Sequence, residues 1–239
     1  MTTTKNYLEL IQGYYKFLCL GKYFESLTKS WTLHVQKELR IPTGTATSFG
    51  INTQIIAPLL QEIHKKSDQK NVYGYLLEIS VFKGVFSAMR EMIEHHASSR
   101  NILQDLLKDQ YIPFEQIIRF LRNVLTHTST SRIAIQEEDF QKQKEFLLSK
   151  HIKNLHLNFI YSSYIPQRKG NKDYACQIQL EISAIQPHVS LFDLISLHQM
   201  YLLTELCYNV SLLMTQRIKK VPSSKKQKSP LPPTTKKCK

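Results

Sequence analysis

The chain has 239 residues, of which 42% are hydrophobic, and a formal net charge of +13 at neutral pH; that size and composition suit one domain with a sizeable core and exclude disorder over the whole length. The charge is uneven: residues 217–239 hold nine Lys or Arg and no acid, so about +4 remains for the body, a mildly basic balance that fits a nucleic-acid partner without requiring one. Cys19, Cys176, Cys207 and Cys238 form no CxxC pair and stand near no His at metal-ligand spacing, which argues against a disulfide framework and a zinc signature.

Cys19, Cys176 and Cys207 sit in apolar runs, where a thiol acts as a small core hydrophobe, and a reducing compartment is expected. Residues 1–20 contain no signal-peptide block, because Lys5, Glu9, Gln12 and Lys16 interrupt them every turn. No apolar run reaches the roughly 18 residues of a membrane span. The richest stretch, 191–214, includes Asp193, His198, Gln199, Glu205 and Asn209 and reads as a buried amphipathic helix. A cytoplasmic protein with no membrane partner is the expectation.

In chain order, residues up to about Arg40 read as two helices, from Leu8, Ile11, Tyr15 and Leu18 and then Leu33, Val35 and Leu39. Pro42-Thr43-Gly44 breaks the pattern, and Ile55, Ile56, Leu59, Leu60 and Ile63 begin another helix. The clearest helix covers about Val72–His95, lined by Leu77, Val81, Val85, Met89, Met92 and Ile93. A shorter one follows at 102–107. Pro113 then suits a first helical position, and Phe114, Ile117, Ile118, Leu121, Val124 and Leu125 form the next stripe.

After His127 the pattern changes. Thr128-Ser129-Thr130-Ser131 is polar punctuation, and 137–150 is a charged helical stretch. Leu155, Leu157, Phe159 and Tyr161, then Cys176, Ile178, Leu180 and Ile182, alternate with polar residues. They predict a two-stranded hairpin over about 154–185 with one wet face, which must pack on helices to be stable. Ser190 suits the N-cap of a last long helix to about Lys219. The Lys/Pro/Ser-rich remainder is expected to be disordered. The whole reads as a mainly α domain of residues 1–216, with the hairpin inserted before the last long helix, and a tail of residues 217–239.

The helix from Pro113 carries the most informative polar face. Arg119, Asn123 and His127 stack at i, i+4, i+8 opposite the core stripe, and Arg122 and Thr126 stack on the flank. A solvated face usually mixes acids with bases, and this one has no acid after Glu115. Arg grips phosphate through a permanently charged planar fork. His exchanges a proton near neutral pH, and Asn can orient either group. Together they suffice to drive a ribose 2′-hydroxyl onto the adjacent phosphate without a metal, the Arg stabilising the charge that builds there. Arg122 and His127, five residues apart, diverge by about 140° on an ideal helix. They reach one phosphate if the helix ends or bends between them or if two copies build a joint site.

Leu121-Arg122-Asn123-x-x-x-His127 resembles the R-x(4–6)-H motif of the HEPN superfamily, in which a polar residue, often Asn, follows the Arg. The motif covers six residues; the rest of the domain is similar in layout. The resemblance implies a HEPN-like helical bundle that forms a homodimer through the motif-bearing helix. It also implies metal-independent endoribonuclease activity, with no cofactor, leaving a 2′,3′-cyclic phosphate and a 5′-hydroxyl. Arg122 would hold the scissile phosphate, His127 would be general base or acid, and Asn123 would orient them. Arg119, Thr126, His95 and His96 are weaker candidates for RNA contact. Such proteins are typically toxins with an antitoxin partner, or components of antiviral defence. Some HEPN toxins carry a modifiable Tyr where Ser129 stands here. Other members have lost catalysis and act as binding modules, which is the alternative reading; a plain helical scaffold is the third.

Further features have bland readings. His95-His96 is favoured near a helix C-terminus by the dipole, and adjacent His side chains face about 100° apart, poorly placed for one metal. His198 suits a core or boundary position. Arg168, Lys169 and Lys172 suit a solvated turn, or an RNA backbone. The Lys-rich tail suits either solubility or salt-sensitive RNA contact, and Lys225-Lys226-Gln227-Lys228 resembles a nuclear signal of a kind frequent by chance.

Overall fold

The computed structural model describes residues 4–28, 38–42, 47–52, 58, 72–127, 133–160 and 175–220. In chain order these form helix α1 (Thr4–Thr28), strands β1 (Glu38–Pro42) and β2 (Ser48–Asn52), and helices α2 (Val72–His95), α3 (Ala97–Leu107), α4 (Tyr111–His127) and α5 (Glu137–Ser149). Strands β3 (Asn154–Ile160) and β4 (Ala175–Glu181), the one-turn helix α6 (Leu191–Leu194) and helix α7 (Leu197–Lys220) follow. The fold is mainly helical, with a two-stranded hairpin ahead of the last long helix. No described helix is long and apolar enough to cross a membrane.

The centre is built by α1, α2 and α7, which pack on one another, while α4 lies on α2 and α5 on α4. Helix α2 buries Leu77, Val81, Phe82, Val85, Phe86, Met89, Met92 and Ile93, so its core stripe is wide enough for helices on more than one side. Helix α1 enters through Leu8, Ile11 and Leu18. Glycines set how closely α1 and α2 cross. A Cβ at Gly84 would lie 2.4 Å from Cζ of Tyr14, and one at Gly21 would lie 2.4 Å from Cδ2 of Leu77. Each helix thus seats a large side chain of the other over a missing methyl group. Polar groups close the same junction: Lys22 meets the buried Glu78 at 2.8 Å, and the Tyr201 hydroxyl donates to Glu78 at 2.5 Å. Burial first, and then the Glu78 carboxylate, push the Tyr201 hydroxyl far above its ordinary pKa.

The hairpin pairs Leu155 with Leu180, Leu157 with Ile178 and Phe159 with Cys176. Leu155, Leu157, Cys176, Ile178 and Leu180 are buried against α4 and α7, whereas Gln177 donates to Asn158 across the wet face at 3.1 Å. Period-two alternation therefore predicted both the strands and their inner face.

Several boundaries differ from expectation. Leu39 belongs to β1, paired with Ile51 of β2, and not to a helix. The alternation Leu39, Ile41 against Phe49, Ile51 has a period of two, and Pro42 cannot continue a helical ladder. Leu33, Val35, the Ile55–Ile63 stripe (Pro58 apart), the hairpin tip and residues 221–239 lie outside the described residues. Helix α3 starts at Ala97, and Pro113 is the third residue of α4, still within the turn whose N–H groups have no helical partner. Strand pairing stops at Glu181, where a 3-10 turn, Ile182–Ala184, takes over.

Ser190 precedes only α6. The last long helix is capped by Ser196, whose Oγ accepts from Gln199 N at 3.2 Å while Gln199 Oε1 accepts from Ser196 N at 2.8 Å. That reciprocal box satisfies two orphan donors, which Ser190 does not. The helix ends at Lys220, close to the end expected near Lys219, and so overlaps the first residues of the segment 217–239 that the sequence sets apart as a tail. Cys19 is exposed on α1, not in the core, while Cys176 and Cys207 are buried.

Two outcomes follow from this packing. Gly84→Ala alone lowers stability by about 1–3 kcal/mol through overpacking against Tyr14. In a Tyr14→Ala background the same change stabilises by up to about 1 kcal/mol, the gain in helix propensity. Urea unfolding of the four proteins reads the change of sign. Burial also pushes the Cys176 thiol up to about 12 and Cys207 well above the usual thiol range. At about pH 8, where only thiolate reacts, a maleimide modifies Cys19 in the folded protein and reaches Cys176 and Cys207 only after unfolding, as read by peptide mass mapping.

Candidate functional site

Helix α4 is covered on two sides. Phe114, Ile117, Ile118, Leu121, Val124 and Leu125 are buried as the stripe predicts, and so are Tyr111, Gln116 and Phe120. Helix α5 covers Phe120 and Gln116. Phe140 meets Phe120 edge-on with centroids 5.2 Å apart, and the Gln143 amide donates to Gln116 O and Oε1 at 2.8 and 2.9 Å. The polar face is therefore divided. Gln116, Asn123 and His127 turn toward α5, while Glu115, Arg119, Arg122 and Thr126 keep a separate flank.

The chain enters α5 along a short antiparallel contact. Ile135 N donates to Val189 O at 3.0 Å, His188 N to Ile135 O at 2.9 Å, and Leu191 N to Ile133 O at 2.8 Å. This fixes Gln136 at the N-cap of α5, where its side chain and that of Asp139 form a capping box. Asp139 Oδ2 accepts from Gln136 N at 2.9 Å. The other carboxylate oxygen, Oδ1, lies 2.5 Å from His127 Nδ1. The Asp139 side chain is 0% exposed, and that of His127 is 46% exposed.

The remaining motif residues join the same chain of bonds. Asn123 Nδ2 donates to the Asp139 carbonyl at 3.0 Å, and Arg122 Nη1 donates to Asn123 Oδ1 at 3.3 Å. Thr126 Oγ1 donates to Arg122 O at 2.6 Å, a back-bond within α4 that leaves its hydroxyl serving the helix itself. Asp139 thus brings together Arg122, Asn123 and His127. Inspection of α4 alone missed it, because the acid comes from the next helix. Its sequence signal was the Gln136-x-x-Asp139 spacing at a helix start, where a carboxylate also suits the dipole.

The flank carries one more cation than it has acids. Arg90 of α2 is 8% exposed; it pairs with Glu94 and, at 3.4 Å, with Glu115. Desolvation lowers the Arg90 pKa; Glu94 and Glu115 oppose that, and Arg119 and Arg122 add to it by like-charge repulsion. Three guanidinium groups therefore share one neighbourhood with two acids. Arg122 Nε is buried without a hydrogen-bond partner. That crowd of positive charge is a natural place for an anion.

His95 and His96 lie elsewhere. The Arg90–Glu115 pair puts the C-terminal part of α2 beside the first turns of α4, about 18 Å along the helix from His127. His96 stands edge-on to Tyr7 of α1, with centroids 5.6 Å apart, and His95 is exposed. His198, expected in the core or at its boundary, is exposed on α7. Among the described residues no three His, Cys, Asp or Glu come close enough to share a metal ion.

Helix α4 continues through His127. The early helix end that would have let Arg122 and His127 converge does not occur, and residues five apart on an ideal helix diverge by about 140°. No protein-family model, curated protein or solved structure matches this chain.

Arg90 holds the two acids that balance the cationic flank. Arg90→Met is expected to cost about 1–3 kcal/mol, since it strands the carboxylate of Glu115 beside an apolar chain. The measurement is the urea midpoint at constant slope.

Proposed function

We propose that this protein is a metal-independent endoribonuclease of HEPN type. The observation that carries the reading is the last two turns of α4. A half-exposed imidazole, His127, stands there five residues after Arg122, and Arg122 shares its electrostatic neighbourhood with Arg119 and with Arg90 of α2. An RNA phosphate would be drawn to the guanidinium groups, and the imidazole would exchange the proton of the ribose 2′-hydroxyl. Asn123 would hold Arg122 in place through its Oδ1.

Because one copy does not aim Arg122 and His127 at the same point, the reading requires two copies with their α4 helices facing each other. Arg122 of one then serves a phosphate beside His127 of the other. A homodimer, an RNA substrate, a cytoplasmic setting and a toxin or defence role with an antitoxin partner belong to this reading through the family resemblance. The same divergence favours the second reading, a catalytically inert HEPN-like module that grips RNA or a protein through the cationic flank.

Incubation of the purified protein with mixed RNA in excess EDTA separates them. The nuclease reading expects cleavage that persists without metal, leaves 2′,3′-cyclic phosphate ends, and falls at least about 100-fold in Arg122→Ala and in His127→Ala, the usual worth of a positioned acid or base. Intact RNA across several substrates, or variants as active as the parent, would leave the binding module.

A further inference from the structure

The geometry points to Asp139 as a positioning residue that holds His127 in its Nδ1–H tautomer, so that Nε2 is the atom that takes the proton from a ribose 2′-hydroxyl. The inference rests on the nuclease reading for the reaction, but the pairing itself is testable without it.

The Asp139 carboxylate has no contact with water, so each oxygen must be satisfied by a protein donor. Oδ2 is committed to the backbone N–H of Gln136 at 2.9 Å. That donor cannot rotate away, because Gln136 is the N-cap of α5 and its carbonyl neighbourhood is fixed by the strip that joins 133–135 to 188–191. Oδ1 faces His127 Nδ1 at 2.5 Å. A carboxylate accepts and does not donate, so Nδ1 must carry the hydrogen. In the neutral ring Nε2 then holds the lone pair. The His127 side chain is 46% exposed, and Nε2 has no hydrogen-bond partner among the described residues. Asn123 reinforces the arrangement by holding the Asp139 backbone at 3.0 Å.

In the reaction, Nε2 removes the 2′-hydroxyl proton and the 2′-oxygen forms a bond to phosphorus. The bond from phosphorus to the 5′-oxygen breaks, and that oxygen takes up a proton from an imidazolium or from water. The products are a 2′,3′-cyclic phosphate and a 5′-hydroxyl. The imidazolium formed on the way is stabilised by the buried carboxylate behind it, the logic by which an Asp supports a catalytic His in serine proteases. Arg122 does not touch Oδ1 or Oδ2 and is left for the phosphate.

Asp139→Asn isolates this role. The Gln136 N–H still demands an oxygen, so the amide oxygen stays on the cap side and the NH2 group turns to His127. Nδ1 then becomes the acceptor, and the ring is forced into the Nε2–H tautomer, which cannot take a proton there. The cap survives, so the fold is retained. Gln136→Ala is the complementary control. It removes the side-chain half of the capping box and leaves both Asp139 oxygens in place.

The experiment is a long-range 1H–15N correlation spectrum of the His ring nitrogens at about pH 8.5, where an imidazole is ordinarily neutral, recorded on the full chain and both variants. RNA cleavage is measured in parallel. The parent and Gln136→Ala are expected to show His127 as Nδ1–H, and Asp139→Asn as Nε2–H. Cleavage by Asp139→Asn should lose about 100-fold or more in kcat, the range of a general base, with KM unchanged. A parent ring already in the Nε2–H form, or an Asp139→Asn ring unchanged from the parent, would overturn the positioning role. A tautomer switch in a protein that never cleaves RNA would uphold the pairing and remove the nuclease reading instead.

Discussion

A carboxylate sealed from water has to find its partners inside the protein, and at Asp139 that requirement organises the junction of α4 with α5. One oxygen takes the N-cap amide of α5, the other takes the last residue of α4, and the backbone carbonyl takes the Asn123 amide. Leaving any of these unmade costs the desolvation of a buried polar group. The geometry of His127 is therefore dictated less by its own helix than by the cap of the next one. The segment 133–135, bound to 188–191, carries that constraint back to the start of α6, so the late part of the chain helps place a side chain from the middle.

The apolar packing of α4 creates the cationic flank. With α2 on one side and α5 on the other, only a narrow stripe of the helix is left for charge. Glu115, Arg119 and Arg122 share that stripe, and Arg90 approaches it from α2. The guanidinium groups of Arg119 and Arg122 repel that of Arg90, and Glu94 and Glu115 oppose the repulsion. The α1–α2 crossing is the contrast. There Gly21 and Gly84, with Leu77 and Tyr14 seated over them, serve close packing alone.

The strand and helix periods were legible because each repeats locally. The α2 and α4 stripes, the β3–β4 alternation and the charged helix after His127 all came from side chains a few residues apart. Boundaries were less so. Ser190 and Ser196 both look like caps, and only the reciprocal bond with Gln199 singles out Ser196. The Leu39 segment offered too few residues to separate a period of two from a helical turn. Cys19 lies next to apolar neighbours in sequence, yet α1 turns it outward.

Sequence by itself placed Arg122, Asn123 and His127 within six positions of one helix, and it determined that a mainly helical body carries one late hairpin. It did not contain their mutual geometry. Asp139 stands twelve residues beyond His127, across a break in the helix, and meets it only because α5 folds back along α4. Arg90 comes from farther still. Tertiary structure alone decided that the imidazole has an acid behind it, that Arg90 feels the charges of Arg119 and Arg122, and that His95 and His96 stand apart. The physical reason is that hydrogen bonds and Coulomb forces act over a few ångströms of space, and distance along a chain does not measure that.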